Sequence, residues 1–141
     1  MNYVAWPGMM GQALFQPPNV GGWKGGRYWM NTASYLMRIN VALGMMTRLS
    51  RASEAFPSAA VEFRWDAGEF FEGRSFSSSD EIIDFLADRF SLVTVSDVLR
   101  EALRRYLALS GDPFVWTPAS CESFGRGAIF LVMASPEYQL Q

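Results

Sequence analysis

Apolar residues recur along this chain mostly at spacings of three and four, the period of a helix with one buried face. After Pro7, helical spacing holds over Gly8 to Leu14. A second helix is capped by Asn31 or Thr32 and runs to about Ser50, with Tyr35/Leu36, Ile39, Leu43, Met46 and Leu49 as its stripe and Arg38 and Arg48 off it. Ser79 caps a third, with Asp80 and Glu81 at its positive end and Ile82, Ile83, Leu86 and Phe90 on its apolar face. Ser96 caps a fourth, whose stripe is Val98/Leu99, Ala102/Leu103 and Tyr106/Leu107 and which Gly111 ends as the C′ residue. The last helix covers about Ala119 to Ser135 and is apolar nearly all round from Ala128 to Ala134, so it is expected at the centre of the fold. Pro136 stops it and leaves a short terminus.

Two stretches break the pattern. Gln16 to Arg27 holds Pro17-Pro18, Gly21-Gly22 and Gly25-Gly26, which together exclude regular structure and predict an ordered loop. Further on, Val61, Phe63 and Trp65 alternate with Glu62 and Arg64 and predict a short extended piece, followed by a turn at Asp66-Ala67-Gly68 and a loop from Ser75 to Ser79. The fold class expected is all-α: four to five helices around a central apolar C-terminal helix, with a long Pro/Gly/Trp-rich loop, in a single domain spanning residues 1–141.

Composition narrows the chemistry. Half of the 141 residues are apolar and only 18% are charged, which excludes disorder and points to a core shared with further protein. A net charge of −2 with no basic run argues against nucleic acid as a partner. The chain has no histidine, which removes imidazole acid–base catalysis, Ser-His-Asp and Cys-His pairs, and imidazole-based zinc sites. Cys121 is the single cysteine, so no internal disulfide and no CxxC site exists, and a buried structural thiol is the favoured reading. The longest apolar run, Ala128 to Ala134, falls well short of the roughly 20 residues of a membrane span. The first residues lack the basic and apolar regions of a signal peptide.

Three groups of residues are candidates for chemistry. Gly22-Trp23-Lys24-Gly25-Gly26 resembles a phosphate cradle, but no strand precedes it and no Ser or Thr follows Lys24, so a tight connection is the better reading. Trp23, Tyr28 and Trp29, with Asn19, Lys24 and Arg27, form a candidate binding set: flat apolar faces beside polar groups suit a sugar ring or a peptide segment. Anchoring of the loop to its own core is the favoured reading of the same aromatics. Carboxylates occur as Asp66, Glu69 and Glu72, and as Glu81, Asp84 and Asp88. No spacing among them defines a glycosidase pair or a calcium loop, so no catalytic residue, metal ligand or cofactor is assigned.

Gly11-Gln12, Phe15, Pro17-Pro18-Asn19-Val20, Gly22-Trp23, Gly25-Gly26, Trp29 and Arg38, with the terminal SPEYQLQ, resemble the C-terminal part of the bacterial domain of unknown function 1800 family. The resemblance implies a mostly helical chain covering roughly the last third of a longer architecture, whose members often look exported or tied to the cell envelope. It implies no catalytic residues. The apolar start of the chain likewise suggests that it is the C-terminal portion of something longer. The function expected is therefore a non-catalytic structural or interaction module, with the remaining portion of its own architecture or another protein as partner. The alternative is a fragment of an enzyme acting on glycans or other polymers, with Asp66, Glu69 or Asp84 as its carboxylates and Trp23 and Trp29 stacking on substrate.

Overall fold

A computed structural model describes residues 7–8, 10–11, 13, 16–22, 28, 30–46, 66–111 and 115–140. The expected extended piece at Val61 to Trp65 and the end of the second helix at Leu49 lie outside these residues. All regular structure among the described residues is helical, as the all-α reading requires. The chain gathers into two compact units, Met1–Arg64 and Trp65–Gln139.

In the first unit, Pro7 and Gly8 are helical, but Met10 and Gly11 form a turn closed by Gly11 N–H on the Gly8 carbonyl at 3.1 Å. Gly11 has a φ of 95°, so the helix expected through Leu14 is interrupted there. Helix α1 (Thr32–Met46) starts from Asn31, not Thr32. The Ser34 N–H donates to Asn31 Oδ1 and the Asn31 N–H donates to Ser34 Oγ, both at 2.9 Å, so each side chain satisfies an orphan donor of the other. Its buried residues are Ser34, Val41, Ala42 and Met46, whereas Leu36 and Leu43 are exposed. The buried face is thus rotated from the expected stripe. TASYLMRINVALGMM is apolar on several sides at once, so spacing alone does not single out one face. Arg38 donates through Nε to the Met10 carbonyl at 3.3 Å and ties the helix to the segment before it.

The second unit begins with α2 (Ala67–Phe70), a one-turn helix where a plain turn was expected. Asp66 makes the difference: its carboxylate accepts from the Glu69 N–H at 3.0 Å and its carbonyl from the Phe70 N–H at 3.1 Å. Helix α3 (Ser79–Arg89) is capped by Ser78, one residue before the expected cap. Ser78 Oγ accepts from the Glu81 N–H at 3.3 Å, while the Glu81 carboxylate accepts from the Ser77 N–H at 2.7 Å. The helix closes through Ser91 in the left-handed region, with Ser91 N–H on Asp88 O and Leu92 N–H on Ala87 O. Helix α4 (Asp97–Ala108) is capped by Ser96, whose Oγ accepts from the Leu99 N–H at 3.2 Å. Its C-cap is Leu109, so Gly111, with φ 123°, lies one position beyond the expected C′.

The final helical run comprises α5 (Pro118–Ser120), a π-helical turn (Cys121–Gly125) and α6 (Arg126–Ala134). It packs on α4 through α6 and on α2 through the π turn. Ile82, Ile83, Leu86, Leu99, Leu103, Leu107, Ala128, Ile129 and Val132 form the buried aliphatic core, each large aliphatic contributing about 1.5–3 kcal/mol. Val98 is exposed, so the α4 stripe is narrower than expected. Gly125 and Gly127 set the closeness of this packing. A Cβ at Gly125 would lie 2.5 Å from Phe71 Cε2, and one at Gly127 would lie 1.9 Å from the Tyr106 hydroxyl oxygen.

The short terminus expected after Pro136 is itself helical. Pro136 opens α7 (Pro136–Gln139), a position that suits proline because the first helical N–H needs no partner. Ser135 caps it, its Oγ accepting from the Tyr138 N–H at 3.3 Å. The Ser96 hydroxyl donates to the Glu137 carboxylate, Gln139 Nε2 donates to the Met133 carbonyl at 2.6 Å, and Tyr138 packs edge-on against Phe90.

Candidate functional site

Of the six residues expected to bind, the described residues include Asn19 and Tyr28; Trp23, Lys24, Arg27 and Trp29 lie outside them. Asn19 shapes its own turn. Its Oδ1 accepts from the Gly21 N–H at 2.9 Å and its carbonyl from the Gly22 N–H at 3.0 Å, with Gly22 at φ 79°. Val20 at the turn's tip is fully exposed, and Tyr28 is 82% exposed.

The second unit contains a cleft of about 360 Å³ lined by Asp66, Phe71, Arg74, Trp116, Cys121 and Glu122, among others. Local structure explains each wall. The cap on α2 holds Asp66 at one edge and sends Phe71 inward, where it is 1% exposed. Glu72 and Gly73, both with positive φ, then reverse the chain so that Gly73, Arg74 and Ser75 form the next wall. Thr117 also lines the cleft, and its Oγ1 accepts from the Ser120 N–H at 3.1 Å and starts α5. The π turn that follows brings Cys121 and Glu122 onto the cleft. Trp116 packs edge-on to Phe71 and Phe76, at centroid distances of 5.2 and 5.6 Å.

The charges around the cleft are largely paired. Arg74 contacts Glu72 at 3.2 Å and lies over the Phe85 ring at 5.3 Å, and Arg126 donates to Glu122. Burial pushes the Cys121 thiol up to about 11, and the negative charges of Glu122 and Asp66 add to the effect. Cys121 is thus a buried, protonated thiol and not a nucleophile at neutral pH.

The other carboxylates singled out in the sequence do not meet here. Asp84 pairs with Arg100 at 2.9 Å, and Asp80 with Arg104 at 2.8 Å and Arg100 at 3.3 Å. The Arg104 hydrogen bond, outweighing partial desolvation, holds the Asp80 carboxyl below its ordinary value. Glu72 bridges Arg74 and Arg89, and Glu81 caps α3. Of the carboxylates considered for catalysis, Asp66 lines the cleft, whereas Glu69 and Asp84 do not. Sequence reasoning missed Arg74, and it missed Trp116 and Glu122, which α3 and α4 separate from Asp66 and Arg74 along the chain. Among the described residues, no three His, Cys, Asp or Glu side chains converge as a metal site.

Among the described residues, the second unit combines capped, ion-paired helices with an aromatic-walled cleft. Over residues 1–140 the chain matches the family described as Protein of unknown function (DUF1800), and it belongs to that family. No curated protein and no solved structure matches it. No helix among the described residues is long and apolar enough to cross a membrane.

Proposed function

We propose that the chain is a non-catalytic structural or interaction module, with Asn19, Trp23, Lys24, Arg27, Tyr28 and Trp29 as the contact surface of its Pro/Gly/Trp-rich loop. One observation carries the reading: eight acidic side chains among the described residues serve the fold. Asp66, Glu81 and Glu137 hold helix starts, and Glu72, Asp80, Asp84, Glu101 and Glu122 are paired with arginines. The exposed Asn19 turn and Tyr28 support a surface role for the loop. The partner is further protein of the same architecture or another protein, with a glycan as the alternative ligand.

A thermal melt followed by tryptophan fluorescence, run with and without glycans and nucleotides, tests this together with a hydrolysis assay on the same glycans. The module reading predicts a cooperative melt and no turnover. Turnover abolished by Asp66→Asn would overturn it in favour of an enzyme acting on glycans. That second reading has one observation behind it, the shared cleft of Asp66, Glu122 and Trp116.

A further inference from the structure

We infer that helix α4 pairs with the α4 of a second copy of this chain, antiparallel about a two-fold axis, through the face it turns away from its own core. That face is defined by what the core leaves out. Leu99, Leu103 and Leu107 are buried, whereas Val98 is 81% and Leu109 72% exposed, with Ala102 exposed between them. Together with Arg105 these residues step along the chain by four, three and four positions, so they form one row on the helix. A row of that spacing is the kind that seats against a similar row on another helix.

Size and charge select the occupant and its direction. Laid antiparallel, a second copy sets its Leu109 against Val98 and its Arg105 against Ala102, a long side chain opposite a small one. Arg105 then crosses Ala102 of the second copy and reaches Glu101 beside it. Within one chain Arg105 already meets Glu101 at 2.8 Å, but the two side chains are 79% and 51% exposed, so that pair contributes little by itself. Two copies join both pairs into a ring of alternating charge and shield it partly from water, which strengthens each contact. A parallel copy would instead oppose Arg105 to Arg105 and Ala102 to Ala102, placing like charges together and leaving a gap. Arg100 and Arg104 do not compete, because Asp80 and Asp84 of α3 hold them. Antiparallel helices also bring opposite dipole ends together. The contact spans one helix of 12 residues, about 18 Å, which places it among small, weak interfaces.

Sedimentation velocity of the full chain from about 10 μM to about 1 mM tests this, and a reversible monomer–dimer equilibrium is expected. Val98→Glu puts an acid near the start of α4 at a site open to water, which spares the fold, and should weaken dimerisation about tenfold or more. Glu101→Arg and Arg105→Glu should each dimerise less than the parent, yet a mixture of the two should pair, since one face is then wholly basic and the other wholly acidic. Orientation is read by mixing Val98→Cys with Leu109→Cys under mild oxidation, where the antiparallel pair forms a mixed disulfide and the buried Cys121 stays out of it. A monomer at every concentration, which would leave the row to a different protein, would overturn the inference. So would a dimer indifferent to Val98→Glu and the charge reversals, or Val98→Cys linking preferentially to itself. None of these variants alters the Pro/Gly/Trp-rich loop, so this surface and the proposed loop surface fail independently.

Discussion

Replacing Gly125 by alanine probes the close packing of the π turn on Phe71. The backbone there is ordinary helix, φ −59° and ψ −44°, so alanine meets no conformational strain and gains about 1 kcal/mol of helix propensity. The new methyl, however, would lie 2.5 Å from Phe71 Cε2 and 3.2 Å from its Cζ. Phe71 cannot swing aside: it is 1% exposed and ringed by Phe70, Phe76, Phe85 and Trp116 at centroid distances of 5.1 to 6.0 Å. Overpacking of this kind costs about 1–3 kcal/mol, and the clash sits at its upper end, so a net loss of roughly 1–2 kcal/mol remains after the propensity gain. Gly44 in α1 is the matching control, since a Cβ there meets nothing within 4 Å. Gly44→Ala should stabilise by up to about 1 kcal/mol. Urea unfolding followed by circular dichroism measures both, and Phe71→Leu gives the double-mutant cycle. Gly125→Ala as stable as the parent, or equally harmful with and without Phe71→Leu, would refute the packing argument.

Further outcomes follow from single contacts. Ser91→Gly should raise stability by up to about 1 kcal/mol, because Ser91 bears a left-handed φ of 52° that glycine adopts without strain; the same urea titration reads it. Cys121 should resist iodoacetamide in the native state at pH 8 and react promptly in denaturant, since burial holds its thiol near 11. Burial by itself would raise the Glu137 carboxyl, but hydrogen bonds from the Ser96 hydroxyl, its own N–H and the Ser135 hydroxyl outweigh that and lower it. Its contribution is therefore present above the ordinary glutamate value and lost as pH falls through the lowered one, so Glu137→Gln should flatten the acid limb of Tm against pH. Gln139→Ala removes the side-chain donor from the part-buried Met133 carbonyl and should cost about 1 kcal/mol, read by thermal melting.

Helix identity was written locally and could be read locally. Ser96, with its polar and apolar alternation after it, marks the start of α4 directly. At the serine run before α3 the cap slips by one, although Glu81 three residues after Ser78 carries the signal that selects Ser78. The buried face of α1 was harder to read, because a helix apolar on several sides leaves the choice to its neighbours. Pro136 reads as a stop in isolation, and only Ser135 as cap and Gln139 reaching back to Met133 turn it into a start. The cleft was not legible at all. Asp66 and Arg74 meet Trp116 and Glu122 only after α3 and α4 have folded between them, and no spacing rule spans that distance.

The π turn gives the last helical run two rotational phases. One extra residue per turn offsets the segment before Cys121–Gly125 by about 100° from the segment after it. Ala128, Ile129 and Val132 can therefore face the aliphatic core while Cys121 and Glu122 face the cleft. Deleting the exposed Ser123 would let the run rewind as uninterrupted α-helix. The core face would keep its register, and the cleft wall would turn away from Asp66. The shape of this hollow thus hangs on a one-residue surplus, which a single codon loss could erase while leaving the facing of Ala128, Ile129 and Val132 in place.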